Sequence, residues 1–206
     1  MKEPSWQKSV RQLSLQELGA PPSAQEAFDR LITVPTIASK RWAYRQYDHS
    51  VGTNTIAQPG MSAAVVRVKE TQRGLALSVD GNGRFCYLDP YRGAMLAVAE
   101  AARNVACAGA EPIGATNNLN FGNPERPEIM WQIGQAVRGI GDACKALGTP
   151  ITGGNVSLYN ETEGRAIYPT PVLGVIGILE DATATVTRTF KTAGASVILL
   201  GDNRGE

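Results

Sequence analysis

The stretch TGGNVSLYNET, residues 152–162, places two glycines ahead of an amide, a hydroxyl and a tyrosine. Paired glycines let a backbone approach a ligand closely and adopt positive φ. Successive N–H groups in such a loop can form an anion nest. Asn155 offers a carbonyl oxygen to a hard cation such as Mg2+, and Ser157 offers a hydroxyl to a phosphate or another polar ligand. A plain turn between two elements uses the same residue types. There is no Lys in the loop and no Gly-Lys-Ser/Thr ending, so a standard phosphate-loop ATPase is disfavoured.

Three further stretches carry polar groups in suggestive places. Glu100 and Asn104 stand at i and i+4 in an otherwise apolar run, so a helix puts them on one face. Glu plus Asn is a fair oxygen-ligand pair for Mg2+; the alternative is a partner for Arg103 or a buried salt bridge. Lys40, Arg41, Arg45, Asp48 and His49 crowd into residues 38–55. Lysine and aspartate near a metal helix would suit a nucleotide phosphate, while a solvated basic helix face is the simpler reading. His49 is the only histidine, and no neighbouring nucleophile identifies it as a base. Asn117, Asn118 and Asn120 cluster after a predicted strand, where amides orient a ligand or cap a loop.

The elements that must position these groups follow from periodicity. Residues 1–23 are polar, contain Pro4, Pro21 and Pro22, and read as a loosely tethered lead-in. Ser23 and Glu26 form a capping-box pattern before an apolar stripe of Ala27, Phe28, Leu31 and Ile32. A second helix is expected over 35–48, with Pro35 near its start. Residues 62–69 and 74–80 predict a hairpin, with a turn at 81–84. Residues 92–110 predict a helix apolar almost all round, hence largely buried, with Gly109 as its stop. Strand into loop is expected over 111–120, a long helix over 127–148, and apolar strands over 171–181 and 195–202. The order argues for an α+β fold, a mixed sheet covered by helices. A buried-type strand at 195–202 followed by four residues reads as the opening of something larger.

Bulk properties exclude several classes. Twenty Lys+Arg against nineteen Asp+Glu leave a charge of +1, which gives no electrostatic footprint for nucleic acid. No apolar run nears the roughly 20 residues a membrane helix needs. Cys86, Cys107 and Cys144 are widely spaced and without C-x-x-C, as expected of reduced thiols in a cytoplasmic protein.

Residues 38–55, 87–132 and 146–162 together resemble phosphoribosylformylglycinamidine synthase, synthetase subunit II, in the aminoimidazole ribonucleotide synthetase-like superfamily. The resemblance runs from residue 35 to 206 and is weak over 1–22. It implies an N-terminal domain from the second of two similar halves, whose sheet pairs with a sister domain into a barrel. The implied division is a lead-in over 1–34, that domain over 35–187, and the start of a C-terminal domain over 188–206. The implied reaction is ATP-dependent conversion of formylglycinamide ribonucleotide to the amidine. The implied partners are the first half of the enzyme, a glutaminase subunit that supplies ammonia, and a small accessory subunit; two copies of this chain could also pair as a homodimer.

By the same resemblance Gly154 would face ATP, Asn155 would bind Mg2+ and Ser157 would contact the ribonucleotide. Asn117 stands where many members carry an ATP-contacting Asp. Lys40, Asp48, Glu100 and Asn104 match positions that hold an auxiliary nucleotide and its Mg2+ in the large single-chain form. The principal catalytic histidines belong to the first half, so no catalytic role falls to His49. Two other readings compete: a different ATP-using synthetase of the superfamily, which should carry a glycine- and lysine-rich N-terminal loop not found here, and a non-catalytic scaffold.

Overall fold

The computed structural model of the chain describes residues 1–12 and 14–201. Its centre is a six-stranded mixed sheet in the order β1-β2-β3-β8-β4-β5. The strands are β1 (Thr55–Ala57), β2 (Ala64–Arg67), β3 (Gly74–Asp80), β4 (Glu111–Asn120), β5 (Ile151–Ser157) and β8 (Thr170–Leu179). A separate two-stranded hairpin, β6 (Glu161–Thr162) and β7 (Arg165–Ala166), follows β5. Among the described strands only β4 and β5 run parallel, joined by a helical crossover as parallel neighbours require. The expected hairpin is β2–β3, and the mixed α+β sheet is as the sequence indicated.

Two helices cover one face of the sheet. Helix α5 (Pro90–Cys107) starts where Asp89 accepts hydrogen bonds from the N–H groups of Tyr91 and Arg92, both at 3.1 Å, with Pro90 at its first position. Its buried stripe of Ala94, Ala97, Val98, Ala101 and Val105 lies on β3 and β8. Helix α6 (Pro127–Leu147) ends at Gly148 in the left-handed region and packs on α5. Close approach of α5 to the sheet depends on Gly177 of β8. A Cβ there would lie 2.7 Å from the Glu111 carbonyl oxygen and collide with Val105.

Several expectations need correction. Helix α5 is not apolar all round: Leu96, Glu100 and Arg103 form an exposed stripe, because the sheet covers one side only. The turn expected at 81–84 opens a short helix instead, α4 (Gly83–Leu88), capped by Asn82. The second helix shrinks to one turn, α3 (Arg41–Tyr44), with nothing buried to hold a longer one. Helix α2 (Ala24–Thr33) forms with the expected Ser23 cap, yet its stripe of Phe28, Leu31 and Ile32 stays exposed.

The strand expected over 195–202 does not form in the described part. Residues 195–200 are irregular and Val197, Ile198, Leu199 and Leu200 exposed; they reach no ladder partner, without which strand propensity gives no strand. Asp202 lies outside the described residues.

The lead-in is not loose at its beginning. A short helix, α1 (Gln7–Val10), follows Trp6, which stacks on Tyr87 at 4.7 Å between ring centroids. Gln7 is fully buried and donates to the carbonyls of Tyr87 and Leu88. Arg11 reaches Asp89 at 3.4 Å and lies over the Trp131 ring. Composition reads these residues as polar; the structure uses their side chains as pins.

Candidate functional site

The stretch from residue 152 onward is a strand, not a loop, up to Ser157. Gly153 and Gly154 pair with Thr116 and Asn117 of β4 in ordinary extended geometry, and neither has positive φ. The anion-nest reading is therefore overturned. What requires glycine at 154 is a neighbour. A Cβ on Gly154 would lie 2.7 Å from the Asn117 carbonyl oxygen and collide with the Asn117 side chain.

Strand alternation sorts the amides between the two faces. Asn117 and Gly154 stand in one row with Asp80 and Leu173, on the face α5 covers. Asn118 and Asn155 stand on the opposite face, where Asn155 Nδ2 donates to Asn118 Oδ1 at 2.9 Å. That bond turns Asn155 Oδ1 outward as a free acceptor, the donor type a hard cation needs. Ser157, two residues on, shares this face with Asn155. Because β5 is an edge strand and exposed through Val156, both sets are open to an incoming ligand. A depression of about 560 Å³ runs beside them, lined by Val79, Thr116, Asn118, Asn155 and Gly174 among others.

The Ser157 hydroxyl is held by a residue the sequence reading passed over. Asn160 Nδ2 donates to the carbonyls of Phe121 at 3.0 Å and Ser157 at 2.9 Å, and the two side chains meet at 3.1–3.2 Å. The spacing SLYN, a hydroxyl with an amide three residues on, was the available signal.

The second constellation lies elsewhere. Glu100 is exposed and forms no ion pair among the described residues, so the expected Arg103 partner or buried bridge is not found. Asn104 donates from Nδ2 to Asp80 Oδ2 at 3.0 Å, leaving its own oxygen available. Asp80, at the end of β3, is the residue missed here; Ser78 also donates to it. β8 and β4 separate this corner from β5, three strand spacings or roughly 14 Å. Among the described residues no group of three His, Cys, Asp or Glu could hold a metal alone. Glu100 and Asn104 would be part of a ligand set at most.

Lys40 and Asp48 are not brought to that corner. Lys40 Nζ donates to the nearby carbonyls of Pro35 and Ala38, the latter at 2.7 Å. Asp48 accepts from the Ser50 N–H at 2.7 Å. No hydrogen bond or ion pair links either to Glu100 or Asn104 among the described residues. Among the described residues His49 hydrogen-bonds only within its own loop region, with Tyr47 and Thr55.

A mixed sheet covered by two helices on one face, with amides and small residues on a free edge, defines the class. Residues 60–179 match the family described as AIR synthase related protein, N-terminal domain, and the chain belongs to that family. A relative from Moorella thermoacetica, the phosphoribosylformylglycinamidine synthase subunit PurL, is 53% identical over 205 residues. The match covers 100% of this chain, which spans 28% of that relative's length. Among solved structures, PurLQS from Thermotoga maritima superposes with a TM-score of 0.68 at 34% identity, covering 72% of this chain and 25% of that one. T. maritima PurL complexed with FGAR gives 0.63 at 35% identity, covering 71% and 24%; the same protein complexed with ATP gives 0.63 at 34%, with the same coverage. Among the described residues no helix is long and apolar enough to cross a membrane.

Proposed function

We propose that this chain is one domain of an ATP-dependent carbon–nitrogen ligase, which converts formylglycinamide ribonucleotide to formylglycinamidine ribonucleotide in purine biosynthesis. The single observation that carries the reading is the β5 edge. Asn155 Oδ1 is free there, two residues from the Ser157 hydroxyl and next to a Gly154 backbone with no outer strand neighbour. Support for the reaction comes from the 53% identical relative and from the T. maritima protein complexed with FGAR and with ATP.

In this reading the chain divides at 1–34, 35–187 and 188–206, as lead-in, domain, and start of the next domain. Gly154 lets ATP approach the strand, with Asn117 beside it. Asn155 supplies an oxygen ligand to Mg2+, and Ser157 holds the ribonucleotide. Bound Mg-ATP supplies the phosphoryl group that activates the amide oxygen, so that ammonia can displace it as phosphate. The chain itself binds and orients. The open sheet face, with Leu77 and Val79 exposed, pairs with a sister domain in a barrel, or with a second copy when the sister is absent. The glutaminase and the small accessory subunit are partners of the whole enzyme, and cytoplasm is its compartment. Glu100 and Asn104, together with Lys40 and Asp48, would hold the auxiliary nucleotide.

The test is made in the full-length protein. Asn155→Ala raises the Mg2+ concentration needed for half-maximal rate, and Ser157→Ala raises KM for the ribonucleotide about three- to tenfold, from the roughly 0.5–1.5 kcal/mol of one hydrogen bond. The isolated chain gives only background phosphate release with ribonucleotide, ATP and ammonia. Unchanged titrations in both variants, or robust turnover by the isolated chain, would overturn the assignment.

A further inference from the structure

We infer that Asn160 is a positioning residue that fixes the polarity of Ser157, so that Ser157 meets its ligand as a hydrogen-bond acceptor. The inference rests on the reading of Ser157 as a substrate contact. Asn160 sits after Tyr159, whose φ is 59° although it is not glycine. A non-glycine residue in the left-handed region needs its surroundings to hold it. Here the Tyr159 N–H donates to the Gly122 carbonyl at 3.0 Å and the Asn160 N–H to Phe121 at 3.1 Å. Phe121, fully buried, in turn donates its N–H to the Ser157 carbonyl at 3.0 Å. The turn is thus bolted to the core side of the chain.

The amide orientation of Asn160 follows from its partners. Its nitrogen faces two carbonyl oxygens, Phe121 at 3.0 Å and Ser157 at 2.9 Å, and only an N–H can face a carbonyl. An NH2 group has two hydrogens, and these two shorter contacts engage both. The 3.1 Å approach of the same nitrogen to Ser157 Oγ is the longest of the three and at most shares a hydrogen already given to a carbonyl. The oxygen of Asn160 lies 3.2 Å from Ser157 Oγ and accepts its proton. Ser157 has no other proton to give, so only lone pairs remain for a ligand. The matching ligand group is an N–H or O–H donor, an amide or a sugar hydroxyl. A phosphate oxygen, which needs a donor, does not match. The expectation that Ser157 offers its hydroxyl to a phosphate is thereby narrowed to the neutral, hydrogen-donating part of the substrate.

A double-mutant cycle in the full-length protein tests this. KM and kcat for the ribonucleotide are measured for Ser157→Ala, Asn160→Ala and the pair, beside thermal melts. The expected result is that each single change raises KM about three- to tenfold with kcat within about twofold, and that the pair is no worse than the worse single. Asn160→Asp keeps an oxygen for the Ser157 proton but sets a carboxylate oxygen against the Phe121 and Ser157 carbonyls, so it is expected to melt lower than Asn160→Ala. Asn160→Ser, which removes the amide but can still donate to one carbonyl, stands in for the alanine variant should that one not fold, with the same rise in KM expected. If Asn160→Ala lowers only the melting temperature and leaves KM at the wild-type value, Asn160 is structural and the inference fails. Multiplying effects in the pair also overturn it, since the two residues then act separately. If Ser157→Ala itself leaves KM unchanged, the failure lies in the substrate reading of Ser157 instead.

Discussion

On the helix-covered face of the sheet, Ala76, Leu173, Val175 and Leu179 are sealed from solvent, with none more than 2% exposed. On the other face of the same strands, Leu77 and Val79 remain 41% and 71% exposed. The residue types are nearly the same, and the strands are shared. What differs is a cover: α5, with α6 packed on it, closes one side, and nothing among the described residues closes the other. An apolar sheet face left open in one chain is a surface awaiting another. The polar groups proposed to meet ligand lie on the edge bordering that open face, with Asn118 and Asn155 in the same depression as Val79 and Gly174, and Ser157 farther along β5.

The sharpest way to break the comparison is to place one charge on each face. Val175→Asp buries a carboxylate under α5 without a partner and is expected to cost more than about 4 kcal/mol, leaving the chain unfolded. Val79→Asp is expected to keep the melting temperature within a few degrees while abolishing self-association at micromolar concentration in sedimentation. Equal destabilisation by both would mean that the open face is core.

A smaller effect is expected at the edge. Gly154→Val drives a branched side chain into Asn117, and overpacking of this kind costs about 1–3 kcal/mol. Because β5 is exposed along its length, the strain should be relieved by displacing that strand rather than by unfolding. Hydrogen exchange should accelerate in β5 and leave β3 and β8 protected. Uniform acceleration would show that the edge is not separable from the centre.

The smallest effect concerns water. Burial pushes the Cys86 thiol up to about 12, with the Asp89 charge adding to it. Burial likewise raises Cys144. Cys107, at the end of α5, is exposed. Alkylation at pH 8 should modify Cys107 alone until denaturant is added. The linkage has a definite sign. Thiols that hold their protons more tightly when folded contribute stability fully present below the unfolded value near 9.0, and lose it as pH rises from there toward 12. The melting temperature should therefore fall above about pH 9; a melting temperature that stays flat to pH 11 would count against a dry interior around Cys86.

How much of this could be read beforehand depended on how local the cause was. Helices α5 and α6, the β2–β3 hairpin and β8 are written in short-range periodicity and capping, and so is the Ser23 cap of α2. The residues at the β5 edge were legible as candidates, because glycine, amide and hydroxyl stand together. Their geometry was not. That Gly154 is needed against Asn117 depends on a parallel pairing between residues 37 apart in sequence, which no local pattern encodes. Asp80 escaped notice because its partner, Asn104, comes from another element. The pins at Trp6, Gln7 and Arg11 looked like loose polar chain for the same reason. The 195–200 segment shows the converse: its residues favour a strand, and no neighbouring strand accepts it.

The position of β8 has a consequence for synthesis on the ribosome. β8 is the last strand of the sheet to be made, yet it lies at the centre, between β3 and β4. Until residue 179 has emerged, β1–β2–β3 and β4–β5 are two blocks with no strand pairing between them, each with a bare strand edge. A nascent chain of this kind cannot bank its early half as finished structure. It stays exposed to chaperones and to wrong edge pairing, and then closes in one late step when the final strand slides into the gap, as expected where the decisive contacts are far apart in sequence.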